Sequence, residues 1–456
     1  MKNTLETIKF ISNGAYDGVF ADLYGAEKVA EQRARWITAL ESFGRLYGEN
    51  RAVRLFSSPG RSEILGNHTD HNHGCVLAAA VNLDTIAVVG QNDDDTIRLK
   101  SEGFDGDIVK AKDNAPGKYL QLSSASLIAG VCGGLSERGH MTGGFDAYTT
   151  SSVLKGSGLS SSAAFEVLVG SIQNELYNDG KISAPELAMI AQYAENVYFG
   201  KPCGLMDQTA CAVGGFVAID FAETSGHGQI ADAVSPKIKK LTFNPEDAGY
   251  TLCIVNTGGS HADLNEDYAS IPREMKAVAA KFGRGALRGL TAEELIARIP
   301  ELRAEVGKDA VGDRAILRAL HFIAENERVS AQVEVLQSEA LKNGDMDAFL
   351  SGVDASGRSS FEFLQNVFTV NAPREQGLSL ALALTDEYFA VKGINNSDKR
   401  IYACRVHGGG FAGTIQAFVP SVEAAGYAAF MDGIFGEGAC IPLRIRRDGV
   451  REITGV

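Results

Sequence analysis

Apolar positions along the chain follow helical spacing in some segments and form strand-like runs in others. Between residues 26 and 48, apolar side chains recur at intervals that place them on one helical face: Val29, Trp36, Leu40 and Phe43. Short apolar runs bounded by turn-forming residues predict strands elsewhere. Because helices and strands intermix without a repeating strand–helix–strand rhythm, we predict an α+β fold rather than a doubly wound α/β fold.

The predicted elements fall into an early and a late group. The early strands are 52–56, ending at the break Ser57-Ser58-Pro59-Gly60; a turn and strand within 75–89; its hairpin partner 96–100; 143–152; and 215–221. The late strands are 250–256, 401–406 and 414–419. Helices are predicted over 163–176, 262–282 and 292–350, and after the capping box Ser183 to Glu186. A boundary near 225–240 predicts an N-terminal domain over residues 1–235 and a C-terminal domain over 236–456.

Composition narrows the class of protein. The 456 residues include 43 basic and 57 acidic side chains, a formal net charge of -14, and no run of Lys or Arg. Such a surface repels nucleic acids and anionic membranes, so neither is an expected partner. No segment approaches the roughly 18–20 apolar residues of a membrane span, and the seven cysteines form no Cys-x-x-Cys pair. We therefore expect reduced thiols and a cytoplasmic location.

A Gly- and Ser-rich segment over residues 155–164 reads KGSGLSSSAA and precedes a predicted helix. Glycine lets the backbone approach a ligand closely, and the N-terminus of the helix offers unpaired N–H groups to an anion. The segment therefore predicts a phosphate cradle, although it lacks the Gly-Lys-Ser/Thr ending of a Walker A loop. A flexible loop before a capped helix remains the alternative for this segment alone.

A second polar segment, residues 59–74, reads PGRSEILGNHTDHNHG. Three His and one Asp within six residues suggest a metal site, such as that of a binuclear hydrolase. Such a site needs further ligands from elsewhere, and the other five His are isolated in the sequence. A polar turn with structural histidines is the simpler alternative.

Taken together, these segments resemble the motifs of GHMP-type small-molecule kinases, and specifically of the galactokinase family. The family's Pro-x-Gly-x-Gly-Leu-Ser-Ser-Ser-Ala is matched by residues 154–163, departing at Leu154, and its Gly-Gly-Gly-Phe-Gly-Gly by residues 408–413, departing at Ala412. Residues 60–74 resemble the signature Gly-Arg-x-Asn-Leu-Ile-Gly-Glu-His-Thr-Asp-Tyr-Asn-x-Gly. The resemblance covers roughly residues 35–456, and the first 30 or so residues are an extension.

The resemblance implies a two-domain GHMP-kinase-like fold with the active site in the cleft between the domains. It implies transfer of the terminal phosphoryl group of ATP to the anomeric C1 hydroxyl of a hexose, with galactose as the leading substrate and Mg²⁺ as the cofactor. The expected partners are then a sugar and ATP, and the expected state is a monomer or a weak homo-oligomer.

Site residues follow from the matching motif positions. Residues 203–208, CGLMDQ, resemble the family's Cys-Gly-Ile-Met-Asp-Gln, which makes Asp207 the catalytic base, with Arg61 favouring its charged form. The implied sugar contacts are Asn67, His68, Asp70, Gly204 and Tyr268. The implied phosphate contacts are Gly156, Ser157, Gly158, Leu159, Ser160, Ser161 and Ser162. Ser162 and Glu195 match the Mg²⁺-binding Ser and Glu.

Each match has a structural alternative when it is taken alone. Asp207 could cap a helix, Glu195 could be a solvated helix residue, and Tyr268 could be a surface tyrosine. The turn over residues 408–413 could be a structural hairpin. The order and number of the motifs favour the functional interpretation.

Two departures affect the implied sugar pocket: Asn67 replaces the usual Glu, and His71 replaces the usual Tyr. In galactokinases that Glu contacts the C6 hydroxyl. Asn keeps a hydrogen bond but removes a negative charge, so a carboxylate at C6 would be tolerated. Galacturonate is therefore an alternative to galactose, and N-acetylgalactosamine and arabinose are less favoured ones. A sensor that binds sugar and ATP without catalysis is a further alternative, although Arg61 and Asp207 are both present.

Overall fold

The computed structural model of the chain describes residues 2–153, 158–201, 203–223, 230–231, 233–259, 264–305, 307, 310–394 and 399–455. The helices are α1 Thr4–Ser12, α2 Asp17–Tyr24, α3 Val29–Tyr47, α4 Ser124–Glu137, α5 Ser161–Tyr177, α6 Ala184–Tyr193, α7 Met206–Val213, α8 Asn265–Lys281, α9 Ala292–Ala304, α10 Gly312–Val335, α11 Glu339–Lys342, α12 Asp347–Ser359, α13 Gly377–Val391 and α14 Ser421–Phe435. Two π-helical segments cover Ala194–Phe199 and Ser360–Leu364. No helix in these described parts of the chain is long and apolar enough to cross a membrane.

The described strands form two sheets. They are β1 Arg54–Leu65, β2 Cys75–Gln91, β3 Thr96–Ser101, β4 Gly106–Lys110, β5 Phe145–Ser151, β6 Phe216–Asp220, β7 Lys237–Leu241, β8 Tyr250–Asn256, β9 Ala403–Val406, β10 Thr414–Pro420, β11 Cys440–Leu443 and β12 Arg451–Glu452. The first sheet has the order β12-β1-β2-β5-β3-β4, with β6 paired to β2 and β7 paired to β6. The second sheet has the order β11-β8-β10-β9. Helices pack on both sheets, so the predicted α+β class is confirmed.

Most of the predicted elements are present. The helical periodicity between residues 26 and 48 corresponds to α3, and the N-terminal caps of α6 and α9 are provided by Ser183 and Thr291. The predicted strands at 143–152, 215–221, 250–256, 401–406 and 414–419 correspond to β5, β6, β8, β9 and β10. Strands β4, β7, β11 and β12 and helices α1, α2, α4, α13 and α14 were not anticipated.

The predicted break at Ser57-Ser58-Pro59-Gly60 is wrong, because β1 continues through it. Pairing with β2 runs from Arg54 to Leu65, with a register shift between Pro59 and Arg61. This irregularity accommodates proline in the strand. A Cβ on Gly60 would lie 2.8 Å from the carbonyl oxygen of Leu159, so only glycine allows this close approach. The bulge therefore brings β1 against the Gly/Ser segment.

The predicted hairpin between 75–89 and 96–100 is also wrong. Strand β5 lies between β2 and β3, antiparallel to β2 and parallel to β3. The predicted turn within 75–89 is absent too, because β2 is one strand of 17 residues. Its length lets it pair with β1, β5 and β6 along different stretches. Local sequence does not show this, because the partners are distant in the chain.

The N-terminal extension is a structural layer on the first sheet. Apolar residues of α1–α3 pack with residues of β1, β2 and the C-terminal Ile453 in one buried cluster. The Phe20 and Trp36 rings stack with centroids 6.3 Å apart. Burial of each large apolar side chain contributes about 1.5–3 kcal/mol. The extension therefore stabilises the face of the sheet opposite α5 and α7.

The first sheet includes strands from both sides of residue 235. Strand β7 pairs with β6, and β12, near the C-terminus, pairs with β1. The second sheet is built wholly from strands after residue 249. The division of the chain into two domains at residue 235 stays a prediction.

Candidate active site

Arg61 and Asp207, 146 positions apart in the sequence, form a direct ion pair. Arg61 follows the bulge of β1, and Asp207 lies in the first turn of α7. The Arg61 Nε atom is 2.7 Å from one Asp207 carboxylate oxygen, and Ser160 Oγ donates to the other oxygen. Arg61 also donates to the carbonyl of Gly158. The Arg61 side chain is 6% exposed and that of Asp207 is 32% exposed, so the carboxylate is accessible from one side.

The surroundings of Asp207 keep it ionised. Burial opposes ionisation, but the charge of Arg61 and the hydrogen bonds from Arg61 and Ser160 outweigh it, and the pKa of Asp207 is lowered. Burial also opposes the charge of Arg61, yet the neighbouring Asp207 raises the pKa of Arg61. The start of α7 adds a favourable helix dipole. A carboxylate of this kind can accept a hydrogen bond and then a proton from a hydroxyl group.

The Gly/Ser segment runs into α5 beside this pair. Gly156 and Ser157 lie outside the described residues. Gly158 has a φ of +71°, and a Cβ there would lie 2.9 Å from His407 Nδ1. Leu159 is fully buried, and Ser160 has a left-handed φ of 59°. Because the Ser160 hydroxyl bonds Asp207, it does not cap α5, and the first N–H groups of that helix, which begins at Ser161, remain available for an anion.

The two predicted metal ligands lie together. Ser162 Oγ is 3.3 Å from Glu195 Oε1, across the space between α5 and the π-helical segment Ala194–Phe199. Burial raises the pKa of Glu195, and the cation Lys201 opposes the shift. Gln208 Nε2 donates to Glu195 at 2.9 Å and to Glu166 at 3.2 Å. Glu166, one turn after Ser162, was not anticipated, and burial raises its pKa well above the ordinary value.

Asp70 lies against Gly204, three residues before Asp207, and His68 is two residues before Asp70. His68 Nε2 lies 2.9 Å from the carbonyl of Gly409, and burial lowers the pKa of His68 to about 4, so the ring is neutral. Asp70 accepts a hydrogen bond from the His71 N–H at 2.9 Å. A Cβ on Gly204 would lie 1.6 Å from Asp70 Oδ2, so glycine at 204 is what lets Asp70 lie there.

The rings of His68 and His71 lie near each other, with centroids 6.4 Å apart, but these histidines and His73 have different hydrogen-bond partners. His68 contacts the carbonyl of Gly409, and His73 Nδ1 contacts the carbonyl of Phe221. Across the described residues, no group of three or more His, Cys, Asp or Glu side chains is arranged to hold a metal ion. These contacts give the hydrolase interpretation no support.

Tyr268 packs on the glycine turn over residues 408–413. Its hydroxyl donates to the carbonyl of Gly410 at 2.9 Å, and its ring meets Phe411 edge-on. A Cβ on Gly409 would lie 2.4 Å from the Tyr268 ring. The turn also approaches Gly158, since a Cβ on Gly408 would be 3.8 Å from its Cα. The turn therefore lies against the Gly/Ser segment.

Asn67, one of the implied sugar contacts, is enclosed by other residues of the protein. Its side chain is fully buried, and its amide donates to Glu63 at 2.8 Å and to the Gly408 carbonyl at 2.7 Å. Its Oδ1 accepts from Asn366 at 2.7 Å and from Ser360 at 3.4 Å. These four bonds fill the capacity of an amide side chain. A direct contact between Asn67 and a sugar is therefore not supported.

Other residues of the site were missed by the sequence analysis. His407 is buried between Ser62 Oγ, at 3.2 Å, and Thr414 Oγ1, at 3.0 Å, and it limits the space at Gly158. Burial lowers the pKa of His407 well below the ordinary value, so the ring is uncharged. Its position directly before the glycine turn was the available signal. Glu63 and Arg405 form a buried pair behind Asn67. Glu63 stands where the family signature has Asn, which was the available signal, and Arg405 had no local signal.

Two family models match the chain. The "Galactokinase galactose-binding signature" matches residues 41–91, and "GHMP kinases N terminal domain" matches residues 123–215. The first match contains Arg61, His68 and Asp70, and the second contains Glu195 and Asp207. Both family models therefore coincide with the residues that the fold brings together.

Characterised relatives and solved structures agree with these matches. A galactokinase of Streptomyces coelicolor is 32% identical over 414 residues, which cover 90% of this chain and 95% of that protein. A galactokinase of Actinobacillus pleuropneumoniae serotype 3 is 30% identical over 388 residues, covering 84% and 89%. Lactococcus lactis galactokinase complexed with galactose has a TM-score of 0.71 at 21% identity, covering 91% of this chain and 98% of that chain. A mevalonate kinase has a TM-score of 0.55 at 13% identity, covering 86% and 98%.

The structural likenesses show a shared GHMP-kinase fold, as predicted. The sequence likeness adds more, because it extends over nearly the full length of both chains at 30% identity or above. Together with the matched signature, it shows that this chain belongs to the galactokinase family.

Proposed function

We propose that this protein transfers the terminal phosphoryl group of ATP to the C1 hydroxyl of galactose, forming galactose 1-phosphate and ADP. The observation that carries the proposal is the Arg61–Asp207 ion pair next to the N-terminus of α5. The pair supplies an ionised, partly exposed carboxylate, and the helix end supplies donors for phosphate. The galactokinase relatives point to the same activity.

The chain's own residues account for the proton and charge movements of this reaction. Asp207 accepts the proton of the C1 hydroxyl as its oxygen bonds to the γ-phosphorus and the bond from that phosphorus to the β–γ bridging oxygen breaks. Arg61 orients Asp207 and offsets charge that develops on the transferred group. Base catalysis of this kind contributes about 10²–10⁴ in rate. Positioning by the loop and by the sugar contacts contributes the remainder.

Mg²⁺ is the proposed cofactor, with Ser162 and Glu195 as its protein ligands. The donor set suits this hard ion, because a hydroxyl and a carboxylate oxygen lie 3.3 Å apart beside the start of α5. When bound, Mg²⁺ neutralises phosphate charge and orients the triphosphate. Gln208 holds the Glu195 carboxylate from behind and also donates to Glu166.

The remaining assignments are also proposals. His68, Asp70, Gly204 and Tyr268 surround the sugar, and residues 158–162 contact the phosphates, in a cleft between an N-terminal domain over 1–235 and a C-terminal domain over 236–456. A cytoplasmic location fits the seven cysteines, all of which are free thiols. A monomer or weak homo-oligomer is the proposed state.

Galactose leads over galacturonate as the proposed substrate. Galacturonate was an alternative because of two departures, Asn67 and His71, and the first matters only if Asn67 faces C6 of the sugar. Asn67 is buried and its four hydrogen-bonding positions are filled within the protein, which supports galactose over a sugar with a carboxylate at C6.

A substrate panel tests the proposal. The purified protein is incubated with labelled ATP, Mg²⁺ and galactose, galacturonate, arabinose, N-acetylgalactosamine or glucosamine, and sugar phosphate is quantified. We expect fastest transfer to galactose. Transfer to galacturonate without transfer to galactose would reassign the substrate, and binding of sugar and ATP without transfer in a single-turnover assay would indicate a sensor.

A further inference from the structure

A buried carboxylate, Glu63, lies directly behind the proposed sugar site and takes no part in the chemistry described above. Glu63 is 4% exposed and Arg405 is 0% exposed. Glu63 Oε1 accepts from Asn67 Nδ2 at 2.8 Å and from Arg405 Nη2 at 3.3 Å. A buried charged pair is costly to desolvate, so its presence calls for a specific purpose.

The pair joins the two sheets. Glu63 is on β1 of the first sheet, and Arg405 is on β9 of the second. Arg405 also donates to the backbone carbonyl of Ile64 at 2.8 Å, so it holds the end of β1 as well as the carboxylate. The end of β1 leads directly into the loop with His68 and Asp70. The position of that loop therefore depends on Arg405.

Asn67 connects Glu63 to the glycine turn over residues 408–413 by hydrogen bonds. One amide donates to Glu63 and to the carbonyl of Gly408. Asn366 bonds both Asn67 Oδ1, at 2.7 Å, and the carbonyl of Gly409, at 3.1 Å. The carbonyl of Gly409 in turn contacts the ring of His68. A chain of contacts thus runs from the buried carboxylate to a proposed sugar-binding side chain.

At positions 63 and 67, this chain has the two residue types of the family signature in exchanged order. The galactokinase signature given above has Asn at the position of Glu63 and Glu at the position of Asn67, and this chain has the reverse order. The two side chains touch, so the exchange leaves the charge and the total side-chain volume of the pair unchanged. The carboxylate has moved from the loop to β1.

We propose that Glu63 and Asn67 form a compensated pair, in which Glu63 is a positioning residue for sugar recognition. Held by Arg405, Glu63 fixes the amide of Asn67, and Asn67 fixes the loop that presents His68 and Asp70 against the glycine turn. The carboxylate does not touch the sugar. This inference rests on the proposed function, because it assigns His68 and Asp70 to the sugar.

The physical consequence is that either single exchange is harmful. Asn67→Glu sets a second carboxylate against Glu63, with one Arg405 to share. Glu63→Asn leaves Arg405 buried without its partner and shortens the side chain that Asn67 contacts. In Glu63→Asn/Asn67→Glu the longer side chain at position 67 extends into the space vacated at position 63. One carboxylate and one amide are then again in contact near Arg405.

Steady-state kinetics on the full chain test this pair. We expect each single variant to raise KM for galactose at least tenfold while KM for ATP changes less than threefold, and the double variant to return KM for galactose to within about threefold of the wild type. A double variant no better than the worse single variant would overturn the proposal. So would equal increases in both KM values, since these indicate general damage to the fold.

Thermal unfolding separates the inference from the proposed function. Melting temperatures of the four proteins without ligand report the coupling of positions 63 and 67 independently of activity. We expect the double variant to recover most of the decrease in melting temperature seen in the single variants, and additive decreases would overturn the proposal of a compensated pair.

If a single variant does not fold, Glu63→Gln replaces it, because it keeps the shape and the acceptor for Asn67 while removing the charge. If the wild type phosphorylates another sugar, the same KM comparison uses that sugar; if it phosphorylates none, the proposed function fails and the positioning role fails with it.

Glu175→Gln is the matched control. Glu175 pairs with Arg54 at 3.0 Å at the opposite end of β1, away from the site. Like the position-63 variants, Glu175→Gln removes a carboxylate that pairs with an arginine, and this arginine, Arg54, is on β1. We expect KM for galactose to be unchanged in this variant, and an increase as large as that of the position-63 variants would show that β1 transmits any such loss.

Discussion

Two Arg–Asp contacts on the first sheet have the same chemistry and opposite surroundings. In the first, Arg61 meets Asp207, whose side chain is 32% exposed. In the second, Asp84 on β2 is fully buried between Arg35, at 2.6 Å, and Arg446, at 3.4 Å. Tyr24 and Ser57 also donate to Asp84.

The difference lies in what remains open. Asp84 has its acceptor positions filled by α2, α3, β1 and the segment before β12, so it holds together distant parts of the chain. The Asp207 side chain is partly exposed, as its proposed role requires. An Arg–Asp ion pair is therefore a structural contact when it is buried on all sides, and a candidate catalytic group when its carboxylate is partly exposed.

The largest expected effect is on turnover in Asp207→Asn. The amide keeps the shape but cannot accept a proton, so we expect kcat to fall about 10²–10⁴-fold. The affinity for ATP should change little, as measured by calorimetric titration, and the melting temperature should fall less than in Asp84→Asn, because the Asp207 side chain is partly exposed. Asp179→Asn, an exposed carboxylate paired with Lys181, is the control. Unchanged turnover in Asp207→Asn would remove this residue from the mechanism.

Asp84→Asn should produce the complementary result. It leaves Arg35 and Arg446 buried without a carboxylate, which costs about 3–5 kcal/mol in the free energy of unfolding. We expect a large decrease in the urea midpoint with kcat per folded molecule unchanged. If kcat fell while stability was retained, the distinction between the two pairs would be wrong.

Ser160→Ala should have a smaller effect on the open pair. It removes the hydroxyl that donates to Asp207 but leaves Arg61 in place. Hydrogen bonds to charged groups contribute at most about 1.5–3 kcal/mol, and partial exposure reduces this, so we expect kcat/KM to fall about tenfold. Ser330→Ala, a surface serine on α10, is the control. An effect as large as that of Asp207→Asn would mean that Ser160 has a separate role.

The smallest expected effect is that of pH, because stability and kcat/KM should depend little on the ionisation of Asp207 near neutrality. Because the pKa of Asp207 is lowered from its ordinary value, the contribution of its ion pair to stability is complete above about pH 3.9 and is lost as pH falls through the folded-state pKa. The acid limb of kcat/KM that Asp207 causes should therefore lie below that pH. In Ser160→Ala the acid limb should move to higher pH, because the hydrogen bond from the Ser160 hydroxyl, which stabilises the ionised form of Asp207, is removed. A limb that stays in place would separate Ser160 from the ionisation of Asp207.

The motifs made several features of the site predictable. Asp207, Arg61, Ser162 and Glu195 were chosen by sequence, and the fold brings each pair into contact. The glycines at 158 and 204 were also informative, because a side chain at either position meets another residue. These are local requirements of backbone and residue type, which a motif records directly.

Other features were not predictable from local pattern. The break expected at Pro59 is a bulge within β1, and the expected partner of 96–100 is displaced by β5. Asn67 was assigned to the sugar from its place in a motif. Asn67 contacts Gly408 and Asn366, which lie 341 and 299 positions away in the sequence. No local sequence pattern indicates these contacts.

By itself, the amino-acid sequence determined the α+β class, the family resemblance and the residues with the chemistry for phosphoryl transfer, because these depend on residue type and short spacing. The tertiary structure alone decided which carboxylates are open and which are enclosed. Burial and hydrogen-bond partners are set by segments hundreds of residues apart, so Asp207 and Asp84, or Asn67 and Glu63, acquire different roles only when the two sheets and the N-terminal helices come together.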